Sequence, residues 1–131
     1  MQQALYVVIA LAAIILLMQL SLYWRTHRAV GKCAPDTSQI DGEAAKESRR
    51  VYYFYSRRCG PCKAISPVVD RVRQDHPNLI KVDVGQHYAL VGDFGVRATP
   101  TFMLVENGLI QKVKLGGMRE SQLRALLETS S

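Results

Sequence analysis

Cysteine is scarce in this chain, and its spacing limits the metal sites that the chain can build. The 131 residues contain three cysteines, Cys33, Cys59 and Cys62, and three histidines. Only Cys59 and Cys62 form a Cys-x-x-Cys pair, and no two histidines stand at ligand spacing. A structural zinc site needs four such ligands. We therefore expect no metal and no other cofactor, although a metal-binding or metal-delivery module stays open as an alternative.

A basic run interleaved with aromatic residues is also missing. The formal net charge of +6 is moderate, and the 17 lysines and arginines are scattered along the chain. Proteins that bind nucleic acid concentrate such charge in a patch or stripe. The sequence therefore predicts no nucleic-acid partner.

Charged side chains are absent from residues 1–24. An apolar run of this length crosses a bilayer core of about 30 Å as a helix, and Tyr6, Tyr23 and Trp24 suit the two membrane interfaces. The basic region and small-residue cleavage site of a secretory signal are not evident, and a soluble helix would need a polar face. The sequence predicts a single-pass transmembrane anchor, with residues 4–24 in the membrane.

Residues 25–49 have the composition of a linker between this anchor and a domain over residues 50–131. Ala34–Gln39 is built of turn and coil formers. Cys33 lies in this linker and is interpreted as an incidental thiol, an intermolecular disulfide partner or an acylation site.

Strand and helix patterns alternate through the predicted domain. Their order, βαβαββα, predicts an α/β fold in which helices flank a mixed sheet, with right-handed crossovers and an antiparallel final hairpin. Asn107-Gly108 supplies the positive φ of the hairpin turn. The predicted strands are Val51–Tyr55, Leu79–Val84, Thr101–Val105 and Leu109–Leu115, and the predicted helices cover residues 60–75, 86–94 and 119–128.

The cysteine pair stands where the first predicted strand of the domain leads into its first helix. Cys59 therefore lies at a helix N-terminus. Unpaired backbone N–H groups and the positive end of the helix dipole stabilise a thiolate at such a position. Cys62 follows one turn later on the same face, within reach of a disulfide.

Several segments, in this order and at this spacing, make residues 50–129 resemble the thioredoxin superfamily. The resemblance implies a thioredoxin-like fold, with a cis Pro100 packed beside the cysteines. It also implies that the Thr99 backbone pairs with an extended substrate segment and that Gly116 leaves room in the same groove. The segments that carry the resemblance are Phe54–Lys63, Pro67, Lys81–Val84, Gly95–Phe102, Asn107–Gly108 and Gly116.

The chain departs from the family pattern at several positions. Arg58 stands where thioredoxins usually carry tryptophan, and Tyr53 stands where they usually carry a buried aspartate below the second cysteine. Lys81 matches the family's lysine near that site. The usual first strand and helix look missing or shortened, and Thr99-Pro100 and Gly116-Gly117 are also similar to the glutathione-binding segments of glutaredoxin. Gly-Pro between the cysteines favours thioredoxin.

The resemblance implies a thiol–disulfide oxidoreductase that acts mainly as a reductase, and the apolar run over residues 1–24 predicts that it is anchored in a membrane. Its partners would be protein substrates with disulfides or thiols, and a redox protein that regenerates the cysteine pair. A non-enzymatic adaptor that docks a partner beside Pro100 stays open as an alternative. The implied catalytic residues are Cys59 and Cys62, and the implied groove and support residues are Gly60, Pro61, Thr99, Pro100, Arg58 and Lys81.

The expected location is a membrane, and in a bacterium this would be the inner membrane. Arg25, Arg28 and Lys32 follow the apolar run, and no basic side chain precedes it. The positive-inside rule therefore predicts a domain that faces the cytoplasm. The periplasm is the alternative, because tethered thiol–disulfide domains work there as well.

Overall fold

The computed structural model describes residues 1–128, with the side chain of Thr26 left out. The last three residues of the predicted 50–131 domain therefore lie outside the described part. A long helix, a short helix and a 3₁₀ turn precede a sheet of four strands that alternates with three helices. The elements are α1 Gln2–His27, α2 Ser38–Asp41, the 3₁₀ turn Gly42–Lys46, β1 Arg49–Tyr55, α3 Gly60–Asp75, β2 Leu79–Asp83, α4 Tyr88–Phe94, β3 Thr101–Glu106, β4 Leu109–Leu115 and α5 Glu120–Glu128.

The strands form one mixed sheet in the order β2-β1-β3-β4. β1 pairs in parallel with β2 and antiparallel with β3, and β3 pairs antiparallel with β4 through the Asn107-Gly108 turn. Both turn residues have positive φ, as the sequence predicts. The predicted thioredoxin-like βαβαββα fold is therefore confirmed. β1 begins two residues earlier than predicted, because Arg49 still pairs with Glu106.

Alternation along β1 fills both faces of the sheet with apolar side chains. Val51 and Tyr53 are fully buried against α3 and α5, where Leu123 joins them. Tyr52 and Phe54 are fully buried on the other face, where both rings pack against Phe94 of α4. A central strand covered on both faces carries a continuous apolar run, which explains why Tyr52–Tyr55 lacks the polar alternation of a half-exposed strand.

The segment between α1 and β1 is packed on the sheet along much of its length. The Gly31 N–H donates to the Ile110 carbonyl at 2.8 Å, and the Ile110 N–H donates to the Lys32 carbonyl at 2.9 Å. Cys33 forms a β-bridge with Leu109. These bonds cover part of the free edge of β4, which would otherwise expose unpaired backbone groups. The predicted linker is thus not an extended tether, and its boundaries stay a prediction.

The first helix differs from the others because every side chain over residues 1–25 is exposed. Gln2–Arg25 is long and apolar enough to cross a membrane, and none of that stretch is buried. A helix of this kind near an N-terminus is either a membrane span or a secretory signal.

Candidate active site

The two cysteines of the Cys-x-x-Cys pair lie at the turn between β1 and α3. Cys59 caps α3, and its Sγ accepts a hydrogen bond from the Cys62 N–H at 3.2 Å. Pro61 lies in the first turn of the helix, where its missing N–H removes no intrahelical bond. Cys59 is half-buried, whereas only 1% of Cys62 is exposed. The two cysteines are therefore not equivalent, because an approaching molecule reaches Cys59 first.

Cys59 and Cys62 are paired as a disulfide. Their Cα atoms are 5.2 Å apart, within the usual range for such bridges. A helix places residues three apart on one face, so Cys59 at the N-cap and Cys62 in the first turn of α3 lie close together. The predicted disulfide between these two positions is confirmed.

The loop before β3 forms the opposite wall of the site. The Thr99–Pro100 peptide bond is cis, as the resemblance implies, and Pro100 is buried. The Thr99 carbonyl oxygen lies 3.6 Å from Cys59 Sγ. The Gly116 N–H donates to the Pro100 carbonyl at 2.9 Å, and Gly116 has a φ of +84°, which favours glycine. The structure thus brings Cys59, Thr99, Pro100 and Gly116 together from three separate segments.

The comparison with known protein families gives the same result as the geometry. The thioredoxin family model matches residues 36–129. The chain belongs to the thioredoxin family. The match begins inside the predicted 25–49 linker, which agrees with the packing of that segment on the sheet. Family membership and the paired Cys59 and Cys62 make the chain a thiol–disulfide oxidoreductase.

Individual relatives support this assignment over most of their length. A thioredoxin of Pseudomonas aeruginosa is 35% identical over 80 residues, which is 59% of this chain and 74% of the relative. The structure of a thioredoxin variant from Halobacterium salinarum matches with a TM-score of 0.61 at 29% identity, and the match covers 73% of this chain and 85% of that one. Oxidised thioredoxin from Plasmodium falciparum matches with a TM-score of 0.56 at 26% identity, over 71% and 90% of the two chains.

Tyr53 occupies the position at which thioredoxins usually place a buried aspartate. Its hydroxyl donates to the Cys62 carbonyl at 3.3 Å and lies 3.1 Å from Ser66 Oγ. Burial raises the pKa of this phenol, and the negative charge of Asp70 adds to the effect. Tyr53 is therefore a neutral hydrogen-bond donor at neutral pH and cannot act as the base that takes a proton from Cys62.

Lys81 is an implied support residue, and its side chain reaches Asp70 and the ring of Tyr55. Its Nζ forms an ion pair with Asp70 at 3.0 Å and lies 4.8 Å from the centre of the Tyr55 ring. Within residues 1–128 it makes no hydrogen bond to either cysteine.

The two arginines before the cysteines differ in their surroundings. Arg57 forms an ion pair at 3.1 Å with Asp83, a carboxylate that also accepts from the Gly85 N–H. Arg58 is exposed, and its side chain has no ion pair within residues 1–128. Of these two arginines, only Arg58 therefore keeps an unneutralised charge beside Cys59. No local sequence pattern predicts the ion pair between Arg57 and Asp83, because the two positions are far apart along the chain.

Replacing Arg58 by the tryptophan common in thioredoxins is expected to raise the pKa of the Cys59 thiol, because it removes a cation next to the thiolate. The increase should shrink at high salt, since Arg58 is solvent-exposed. Titration of Cys59 by its alkylation rate in the wild type, Arg58→Trp and Arg58→Gln measures the effect. Arg58→Gln is the matched control for loss of charge without the aromatic ring. An unchanged or lower pKa in both variants would contradict a role of the charge.

The remaining cysteine and the acidic side chains form no metal centre in the part of the chain that the structure describes. No group of three or more histidine, cysteine, aspartate or glutamate side chains meets there in a ligand geometry. Cys33 is a free, exposed thiol on the β4 edge.

Proposed function

We propose that the chain is a membrane-anchored reductase of protein disulfides, with Cys59 as nucleophile and Cys62 as resolving thiol. The observation that carries the proposal is the asymmetry of the pair. Cys59 is half-buried at the N-terminus of α3, its sulfur lies 3.6 Å from the Thr99 carbonyl, and Cys62 is almost fully buried. Helix N-termini favour the thiolate that attacks, and burial keeps the resolving thiol from external disulfides.

Reduction of a substrate would proceed in two exchange steps. The Cys59 thiolate attacks one substrate sulfur, the substrate S–S bond breaks, and the other substrate sulfur leaves as a thiolate that takes up a proton. Cys62 then loses its proton to water and attacks Cys59 Sγ. The mixed disulfide breaks, the second substrate sulfur leaves, and the Cys59–Cys62 disulfide remains. The substrate gains two electrons and two protons, and a reducing partner restores the pair by the same exchange.

The loop of Thr99 and Pro100 supports the alignment of a substrate. In this proposal the exposed backbone at Thr99 pairs with an extended substrate segment, which places the substrate sulfur next to Cys59. Gly60 and Pro61 form the adjoining rim, and Gly116 keeps the groove open because it has no side chain. Main-chain pairing of this kind tolerates many sequences, so it suits an enzyme with several protein substrates.

The membrane part of the proposal assigns residues 1–24 as an anchor, residues 25–49 as a linker and residues 50–131 as the redox domain. The length of α1 and the basic side chains of Arg25, Arg28 and Lys32 support a span with a cytoplasmic domain. Resistance to alkaline extraction would identify an anchored protein. Alkaline phosphatase fused to the C-terminus should be inactive in a bacterial host. An active fusion would show that the domain faces the periplasm.

The reduction potential of the Cys59–Cys62 pair tests the direction of electron flow. We expect a value nearer the roughly −270 mV of thioredoxin than the roughly −120 mV of a strong periplasmic oxidant, moved upward somewhat by the unpaired Arg58 cation. Equilibration of the full chain in detergent micelles with thiol–disulfide buffers measures it. A value near −120 mV would make the chain a disulfide donor. Failure to form a reversible disulfide would favour the adaptor or metal-binding alternatives.

A further inference from the structure

A polar groove separates the end of α1 from the body of the domain. Three basic side chains from the end of α1 and the turn after it line one wall, and Arg97, from the loop between α4 and β3, lines another. The groove is also lined by Cys33, Asp93, Phe94, Gly95 and Ile110. The three basic residues of the first wall are Arg25, Arg28 and Lys32.

The charges of this groove are unbalanced. Four cationic side chains face one carboxylate, Asp93, and all four are exposed. None of the four side chains takes part in an ion pair or hydrogen bond within the described residues 1–128. Five other arginines of the domain are paired with carboxylates, namely Arg49, Arg50, Arg57, Arg71 and Arg124. The groove is thus a concentrated site of unneutralised positive charge.

We propose that this groove binds the phosphate of an anionic membrane lipid. The inference rests on the proposed membrane anchoring, because α1 ends at His27 and therefore brings the groove to the depth of the headgroups. Anionic headgroups attract basic side chains that follow a span. Arginine guanidinium groups, of which the groove has three, match the geometry of a phosphate with paired hydrogen bonds.

Because the segment after α1 is bonded to the sheet, a lipid held in this groove would orient the domain. The two hydrogen bonds between Ile110 and the segment Gly31–Lys32 hold the chain after α1 on the edge of β4. A lipid phosphate held by Arg28 and Arg97 would therefore join the helix end to the loop that follows α4. The domain would then lie against the membrane in one orientation instead of rotating on a tether.

The same contact would place the redox groove close to the membrane surface. Arg97 lies two residues before Thr99, so the Cα atoms of these residues are at most about 7.6 Å apart. Thr99 in turn contacts Cys59 Sγ. The inferred substrates are therefore proteins whose disulfides lie near the membrane surface, such as membrane proteins with a juxtamembrane disulfide.

Lipid retention by the full chain in neutral detergent micelles tests the proposal. Native mass spectrometry would compare phosphatidylglycerol with phosphatidylcholine at equal concentration. We expect at least about tenfold more phosphatidylglycerol to be retained, and an Arg28→Gln/Arg97→Gln variant to lose at least fivefold of that retention. Lys112→Gln/Lys114→Gln is the matched control. It removes the same charge from β4 outside the groove, and should change retention less than twofold.

Three outcomes would overturn the proposal. One is equal retention of the two lipids by the wild type, a result that can be measured without any variant. Another is an equal loss of phosphatidylglycerol retention in the groove and control variants, which would show that the lipid is attracted by the overall charge and is not bound at one site. The third is displacement of phosphatidylglycerol by a few millimolar inorganic phosphate, which would assign the groove to a soluble anion.

Failure of the lipid site can be distinguished from failure of the proposed function. Disulfide reduction by the wild type in the same micelles reports on the redox chemistry, and alkaline extraction of cell membranes reports on anchoring. An active, anchored protein that retains both lipids equally would refute only the lipid site. Melting temperatures of the variants equal to that of the wild type would exclude misfolding as the cause of lost lipid retention.

Discussion

Replacing Cys59 by serine is expected to lower the rate of protein-disulfide reduction by at least about a thousandfold, because a serine hydroxyl is not ionised at neutral pH and forms no mixed disulfide. The loss should exceed that of any other single substitution in the site, since Cys59 is the more exposed sulfur and lies 3.6 Å from the Thr99 carbonyl. Reduction of a protein disulfide by dithiothreitol, with the enzyme as catalyst, measures it.

Replacing Cys62 by serine should give a different result, because the first exchange step stays intact. The Cys62→Ser variant should accumulate a mixed disulfide between Cys59 and its substrate, visible on non-reducing gels and lost on reduction. Cys33→Ser is the matched control, since Cys33 is a free thiol on the β4 edge, and its activity should equal that of the wild type. A Cys59→Ser/Cys62→Ser variant that rescued a deletion strain would contradict the enzyme and support an adaptor.

Replacing Asp41 by alanine is expected to lower the free energy of unfolding by about 3–5 kcal/mol, the usual loss when one member of a buried ion pair is removed. Asp41 is buried, accepts from Arg50 at 2.6 Å, from Tyr52 at 2.7 Å and from Thr37 at 2.5 Å. Its loss would leave Arg50 without its counter-charge and the buried Tyr52 hydroxyl without its carboxylate. Chemical denaturation of the full chain in micelles, followed by far-ultraviolet circular dichroism, measures the change.

Glu43→Ala is the matched control for this prediction. Glu43 is exposed and forms no hydrogen bond within the described residues, so its replacement should change stability by less than about 0.5 kcal/mol. Equal effects of Asp41→Ala and Glu43→Ala would mean that residues 37–41 behave as a detached linker. The predicted difference therefore decides whether this part of the segment belongs to the folded domain.

The features that the sequence predicts correctly depend on local patterns. Cys59 and Cys62 are three residues apart in a strand-to-helix turn, and that spacing alone places both on one face of α3. Asn107-Gly108 specifies its hairpin turn because both residues tolerate positive φ. The cis bond at Pro100 was predicted from the family resemblance. The local sequence shows only a proline, which permits a cis bond but does not require one.

The contacts that the sequence does not predict join side chains that are distant along the chain. Tyr53 belongs to a predicted strand, yet its hydroxyl contacts the Cys62 carbonyl of α3. Asp41 lies in the predicted linker, although it pairs with Arg50 and Tyr52 of β1. No periodicity marks such pairs, because each depends on where separate elements meet.

The sequence by itself determined the order of strands and helices, the cysteine pair and the apolar helix, because each follows from the spacing of residue types within one segment. Only the tertiary structure decided which groups surround the cysteines. It placed Thr99 against Cys59, put a neutral tyrosine below Cys62, and packed the chain after α1 on β4. The physical reason is that burial and hydrogen bonding between distant segments are set by packing, which exists only after the elements assemble.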